Sequence, residues 1–110
     1  MAERRQTQVA EVLAHLAADY FARESNSESL ITVTRAELAP HLKTVVIYFS
    51  VLPEQFEQKA LAFAKRSRSA FREYVKEKTF LHPVPTIDFE IDIGEKNRQR
   101  IDELTRPPSK

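Results

Sequence analysis

The chain contains no cysteine. That excludes disulfides, thiolate zinc sites, iron–sulfur clusters and cysteine nucleophiles, and it is compatible with a reducing compartment. It contains one glycine, Gly94. A lone glycine at that position excludes a Gly-rich phosphate loop, a dinucleotide fingerprint and a nucleophile elbow. Long apolar runs are also missing. The longest, Val45 to Phe49, falls far short of the roughly 20 residues that span a bilayer. Glu3, Arg4, Arg5 and Gln6 supply no apolar signal core. The expectation is a soluble, cytoplasmic protein. Excess charge of one sign is absent as well: 17 basic residues face 16 acidic ones, a net charge of +1. The whole-chain balance therefore suggests no partner.

What is present suffices for one domain. The chain has 110 residues, 42% hydrophobic and 30% charged, and a chain of this length buries about two-thirds of its unfolded surface. The local charge balance is more informative than the total. Lys65, Arg66, Arg68, Arg72, Lys76 and Lys78 outnumber Glu73 and Glu77 in one stretch. Asp88, Glu90, Asp92, Glu95, Asp102 and Glu103 outnumber Lys96, Arg98 and Arg100 in another. The expectation is a charge dipole.

Hydrophobic periodicity gives the order of elements. Val9, Leu13, Leu16 and Tyr20, with Ala17 and Phe21 beside them, predict an amphipathic helix over residues 3–23. The polar run from Ser25 to Ser29 ends it. β-branched residues predict a strand over 30–36, with Ile31 and Val33 alternating with Thr32 and Thr34. A connection over 37–41 leads to a second strand over 42–52. There Val45, Ile47, Phe49 and Val51 share one face, and Thr44, Val46, Tyr48 and Ser50 the other. Pro53 suits a helix start. Phe56, Ala60, Phe63 and Ala64 then line a helical face, and Phe71, Tyr74 and Val75 line a second helical stretch ending near Lys78. Pro83 and Pro85 forbid continuation. Residues 86–92 alternate as a strand, with Ile87, Phe89 and Ile91 on one side. Residues 95–104 read as a short helix anchored by Ile101 and Leu104, and 107–110 as a flexible tail. Residues 1–106 thus form a single α+β domain, a three-stranded sheet with helices packed on one face.

The cations Lys65, Arg68, Arg72 and Lys76 would fall within an arc of about 80° if residues 65–76 were one continuous helix. Such a stripe tracks phosphates through charge and counterion release. The alternative is a solvated face whose long stems lie over apolar neighbours. Asp88, Glu90 and Asp92 share a strand face, but at ~3.3 Å per residue they stand too far apart to converge on one small cation. They read as a solvent face or as charges guarding a sheet edge. His15 shares a helical face with Glu11 and Asp19, a spacing that chance often supplies. His41 and His82 fall in loops, and neither Ser67 nor Ser69 has the glycine context of a catalytic elbow. A small hydrolase or metal enzyme is the poorer reading, and no cofactor is expected. Among aromatics that can serve as stacking platforms, Phe49 and Phe89 go to the core, while Tyr48 is left open.

Several segments in this order resemble the ribosome-binding factor A family of bacterial small-subunit assembly factors. They are the opening helix with Arg5 and Glu11, Leu30 to Thr34, Leu42 to Val51, Ala70 to Val75, Pro85 to Asp92 and Arg100 to Leu104. The resemblance covers roughly residues 4 to 104. It implies a KH-like fold of the second type, α-β-β-α-α-β, which clamps a nucleic-acid backbone at a break between two helices. In the family that break is an Ala-x-Gly kink. Alignment on Phe71-Arg72 sets Ser67-Arg68-Ser69 there, with Ser69 in the glycine position. Either the helices join more smoothly, or the Ser69 hydroxyl satisfies a freed backbone group.

The resemblance implies a non-catalytic RNA-binding factor that holds 16S rRNA of the immature small (30S) subunit and assists its processing; a monomer is expected. Lys65, Arg66, Arg68, Ser69, Arg72, Lys76 and Lys78 would form its RNA-binding surface, extended by Arg4 and Arg5. The rival expectation is a protein-interaction module of KH-like fold that no longer binds RNA, its acidic stretch from Asp88 to Glu103 meeting a basic ribosomal protein.

Overall fold

The computed structural model describes residues 2–25, 28–39, 43–95 and 97–98, and for residues 2–6 the backbone only. Its first element is helix α1, Ala2–Glu24. Leu13, Ala17, Tyr20 and Phe21 recur at helical spacing and are buried, with Val9 and Leu16 half-buried at the margin. Strands β1 (Leu30–Leu38) and β2 (Thr44–Leu52) follow. Each differs by two residues from its expected limit, β1 ending later and β2 starting later.

Pro53 precedes a single 3-10 turn, Glu54–Phe56, which leads into α2, Glu57–Arg66. One residue, Ser67, separates α2 from α3, Arg68–Lys78. Strand β3, Thr86–Ile91, completes the sheet. Residues 93–95 and 97–98 are helical. The rest of the short helix expected over 95–104, with its anchors Ile101 and Leu104, and the tail lie outside the described residues. So does His41.

The sheet order is β1-β2-β3. β1 runs antiparallel to β2, while β3 runs parallel to it. Parallel neighbours need a crossover, and α2 and α3 supply it. The α-β-β-α-α-β order is the one the KH-like reading requires. Helices pack on the sheet face formed by Val45, Ile47, Phe49, Val51, Ile87 and Phe89, all buried. Strict alternation on β2 and β3 produces that face, because successive side chains point to opposite sides. Phe21 of α1 is the hub of the core. Its ring centroid stands 5.1 Å from that of Phe89, 5.8 Å from Phe49 and 6.1 Å from Phe63.

β1 breaks the simple alternation. Val33 pairs with Phe49, and Arg35 pairs with the next residue, Tyr48, so Thr34 is an extra residue in a bulge. Ile31 and Val33 before the bulge, and Ala36 and Leu38 after it, therefore all lie opposite inward-facing β2 residues. The bulge is pinned from a distance. Thr34 Oγ1 donates to Asp92 Oδ2 at 2.5 Å and lies 3.3 Å from the Tyr48 carbonyl.

Candidate nucleic-acid interface

The break between α2 and α3 is tight. Ser67 is buried with φ −88° and ψ 0°. Its N–H is shared between the carbonyls of Phe63 and Ala64, and its hydroxyl donates to the Phe63 carbonyl at 2.8 Å. The hydroxyl that satisfies the break thus belongs to Ser67, a correction to the expectation built on Ser69. Ser69 lies in the first turn of α3 and is exposed. No glycine is needed here because Ser67 keeps a right-handed helical conformation and Ser69, in the glycine position, lies within α3.

The break also divides the cations, so the continuous stripe expected over residues 65–76 does not form. Lys65 turns to the open edge of β3. Its Nζ lies 2.7 Å from Asp88 Oδ1 and 2.8 Å from Glu90 Oε2. Arg68 donates through Nε to the Lys65 carbonyl at 3.0 Å and approaches Asp88 at 3.4 Å. Arg72 donates to the Val84 carbonyl at 2.9 Å, bracing the loop before β3. Lys76 stands 3.5 Å from Glu73 of its own helix. Arg66 leaves α2 on another flank, where it lines a pocket of about 180 Å³ with Glu24, Ser25 and Phe63.

Lys78 lies across the buried Phe71–Val75 seam from Arg68, Arg72 and Lys76, by the ~100° step of the helix. Its Nζ stands 5.7 Å from the centroid of the Tyr74 ring. The side chains of Arg4 and Arg5 lie outside the described set. Two segments expected to stand apart as the ends of a dipole are therefore joined by ion pairs at one edge.

This pairing alters the charges involved. Burial is the largest single influence on Lys65 and disfavours its ammonium form. The hydrogen bonds to Asp88 and Glu90, with the charges of both carboxylates, outweigh it and hold the lysine above its usual pKa. Burial likewise pushes Asp88 upward. The hydrogen bonds from Lys65 and the Phe89 N–H, with the charges of Lys65 and Arg68, more than reverse that and hold the carboxyl below its usual range. A carboxyl depressed in the folded state stabilises the fold above its unfolded pKa, and that contribution is lost as pH falls through the folded value. The Lys65 share is present below the lysine's unfolded pKa and is lost as pH rises through its higher folded value. Lys65→Met keeps the stem and removes the charge. With the Lys65 side chain 31% exposed, solvent screening limits the expected loss to about 0.5–1 kcal/mol at pH 7. Urea unfolding at pH 7 and near pH 3 measures it, with the gap between variant and parent expected to close in acid.

Asp92 corrects the reading of the acidic strand as a solvent face. β3 ends at Ile91, and Asp92 is buried. It accepts from Thr34, from Arg35 Nε at 3.4 Å, and from the Glu95 N–H at 3.0 Å, where it caps the following helical turn. Tyr48 is resolved too. Its half-buried ring lies beneath the Arg35 guanidinium, 3.9 Å from the centroid, and Arg35 also pairs with Glu37. Phe49 and Phe89 are in the core, as expected.

His15 and Glu11 line a groove of about 1000 Å³ between α1 and the edge of β1. Among the described residues, no three histidine or acidic side chains gather in a group able to hold a metal ion. Nor, among them, is any helix long and apolar enough to cross a membrane. One exposed aromatic has no counterpart among the sequence-based expectations. Phe80, two residues beyond α3, is fully exposed. Its only sequence signal is that it belongs to no periodic set.

Comparison with known proteins agrees with this architecture. The sequence pattern of ribosome-binding factor A matches residues 4–105. Ribosome-binding factor A of Bradyrhizobium sp. (strain ORS 278) is 30% identical over 110 residues, covering 96% of this chain and 80% of the relative. The Thermobifida fusca protein of the same name is 31% identical over 103 residues, covering 91% and 68%. The crystal structure of ribosome-binding factor A from Thermus thermophilus superposes with a TM-score of 0.69 at 16% identity, covering 78% of this chain and 94% of that one. At that identity the structural likeness speaks to the fold alone, which is KH-like.

Proposed function

Because the chain belongs to the ribosome-binding factor A family, we propose that it is a ribosome-associated assembly factor. In this reading it binds the immature 30S subunit in the cytoplasm as a monomer and assists 16S rRNA processing without catalysing a reaction. The observation that carries the reading is the family match over residues 4–105. The contact surface is the break between α2 and α3, where Arg68 and Ser69 are exposed just beyond buried Ser67 and Arg66 is exposed on another flank just before it. Arg72 and Lys76 continue it along α3. Phosphates then meet guanidinium groups at a shaped turn, a mode that depends on salt and on RNA shape more than on base identity.

The test is co-sedimentation with purified small subunits. Arg66→Glu/Arg68→Glu is the variant to use; it spares Arg72, which braces the Val84 carbonyl and whose loss would disturb the loop. Association is expected to fall about tenfold at moderate salt. Undiminished association of the double variant rejects this surface.

A second reading is favoured by one observation: Asp88 and Glu90 already neutralise Lys65, and Asp88 also approaches Arg68 at 3.4 Å. An acidic strand edge at the break suits a basic ribosomal protein. Association that survives nuclease treatment of the subunit supports that reading over the first.

A further inference from the structure

The cations at the break are largely held by ion pairs and hydrogen bonds within the molecule, but two others carry no carboxylate partner among the described residues. Arg23, in the last turn of α1, and Lys78, in the last turn of α3, are exposed. Both approach one aromatic ring. The Arg23 guanidinium carbon stands 5.8 Å from the Tyr74 centroid and the Lys78 Nζ 5.7 Å. Neither forms an ion pair among the described residues, although Glu24 and Glu77 are their chain neighbours.

The ring is held firmly. Tyr74 packs edge-on against Tyr20 at 5.8 Å and lies stacked with Phe71 at 6.3 Å. Two residues after Lys78 comes Phe80, exposed to 106% of its reference area. Its backbone is fixed on both sides. Thr79 Oγ1 donates to the Val75 carbonyl at 2.9 Å and accepts from the Leu81 N–H at 3.1 Å, while Val84 and Pro85 are buried further on.

A cation in the last turn of a helix complements its dipole, and that alone accounts for Arg23 and Lys78 as single residues. Cation–π attraction accounts for their approach to Tyr74, but neither effect accounts for a phenylalanine held wholly in water two residues along the chain from Lys78. Unneutralised cations next to an exposed aromatic are the combination by which proteins hold single-stranded nucleic acid. The cations take the backbone phosphates, and the ring takes a base face whatever its identity.

We propose that Arg23, Tyr74, Lys78 and Phe80 form a second RNA-contact surface, at the adjoining C-terminal ends of α1 and α3. Single-stranded ribosomal RNA lays a base on Phe80 and its phosphates against Arg23 and Lys78. This surface is separate from the break between α2 and α3. The identification of its RNA as ribosomal rests on the function proposed above.

The experiment titrates the full-length protein with a single-stranded oligoribonucleotide at several salt concentrations, and in parallel measures co-sedimentation with small subunits. Phe80→Ala is expected to weaken oligonucleotide binding about tenfold without changing its salt dependence. Arg23→Ala/Lys78→Ala is expected to lower the slope of log K against log salt by about 1.4, the loss of two single-strand phosphate contacts. Oligonucleotide binding by both variants indistinguishable from the parent overturns the proposal. So does a Phe80→Ala variant that loses subunit association while binding the oligonucleotide normally, since Phe80 is then an anchor for protein. If the parent fails to sediment with subunits, the ribosomal reading falls, and the oligonucleotide titration still decides whether this surface binds RNA.

Discussion

Replacing Phe21 by alanine is expected to lower the free energy of unfolding by about 3–5 kcal/mol, the range for a buried phenylalanine truncated to alanine. Phe21 is 1% exposed and its ring meets those of Tyr20, Phe49, Phe63 and Phe89. Those rings come from α1, β2, α2 and β3, so collapse around the void requires four elements to move together. The dense packing of an interior resists that motion, and most of the cavity cost remains. Against the total stability of roughly 5–15 kcal/mol usual for a domain, the loss is large. Urea unfolding followed by circular dichroism measures it. Phe80→Ala serves as the control. Its side chain buries nothing, and its stability is expected to stay within about 0.5 kcal/mol of the parent.

The second large effect is expected at Asp92. Asp92→Ala removes the acceptor of Thr34, one partner of Arg35 and the cap of the Glu95 N–H. Thr34 retains the Tyr48 carbonyl nearby, and Arg35 keeps Glu37, which limits the damage on β1. The cap and the charge-assisted bonds are lost outright, for an expected cost of about 2–3 kcal/mol. Burial pushes the Asp92 carboxyl upward. Bonds from Thr34 and the Glu95 N–H, with the Arg35 charge, more than reverse this and hold its pKa below the usual value. Its contribution is thus complete above the unfolded carboxylate pKa and vanishes as pH falls through the lower folded value. The gap between parent and Asp92→Ala is expected to narrow below about pH 4. Unfolding curves at pH 7 and pH 3 check both the size and the sign.

Asp92 also marks where the sequence misleads. Alternation from Asp88 through Glu90 assigns it to the solvent side, yet β3 ends one residue earlier and the chain carries it into a buried site. Thr34 misleads similarly. β-branched residues fill both parities of β1, so the pattern offers no mark of the extra residue. The partner that holds the bulge lies 58 positions away. Where one parity is apolar without interruption, as from Val45 to Val51, the face reads directly and is the one buried.

The interface divides along the same line. The cations are plain in the sequence, and so is the region where the helices break. Their partners are not, because Lys65 meets Asp88 and Glu90 only through the placement of β3 at the sheet edge. The break falls within Ser67-Arg68-Ser69, where the alignment sets it, but that the bonded hydroxyl is Ser67's and not Ser69's follows from which serine lies four residues beyond Phe63, a matter of register that spacing in the family alignment does not fix. Phe80 is illegible for a different reason: a lone apolar residue in a loop carries no periodicity.

The bulge at Thr34 has a consequence for life at high concentration. A strand at the end of a sheet is a template on which another molecule can lay its own backbone, and growth of that kind ends in fibres. Here the irregular spacing at Thr34 spoils the repeat that a copied strand would have to match. The charges of Arg35 and Glu37 close to it make such an approach costly in lost hydration. The same extra residue that lets β1 feed the core on both sides of its bend thus discourages the molecule from polymerising through that rim.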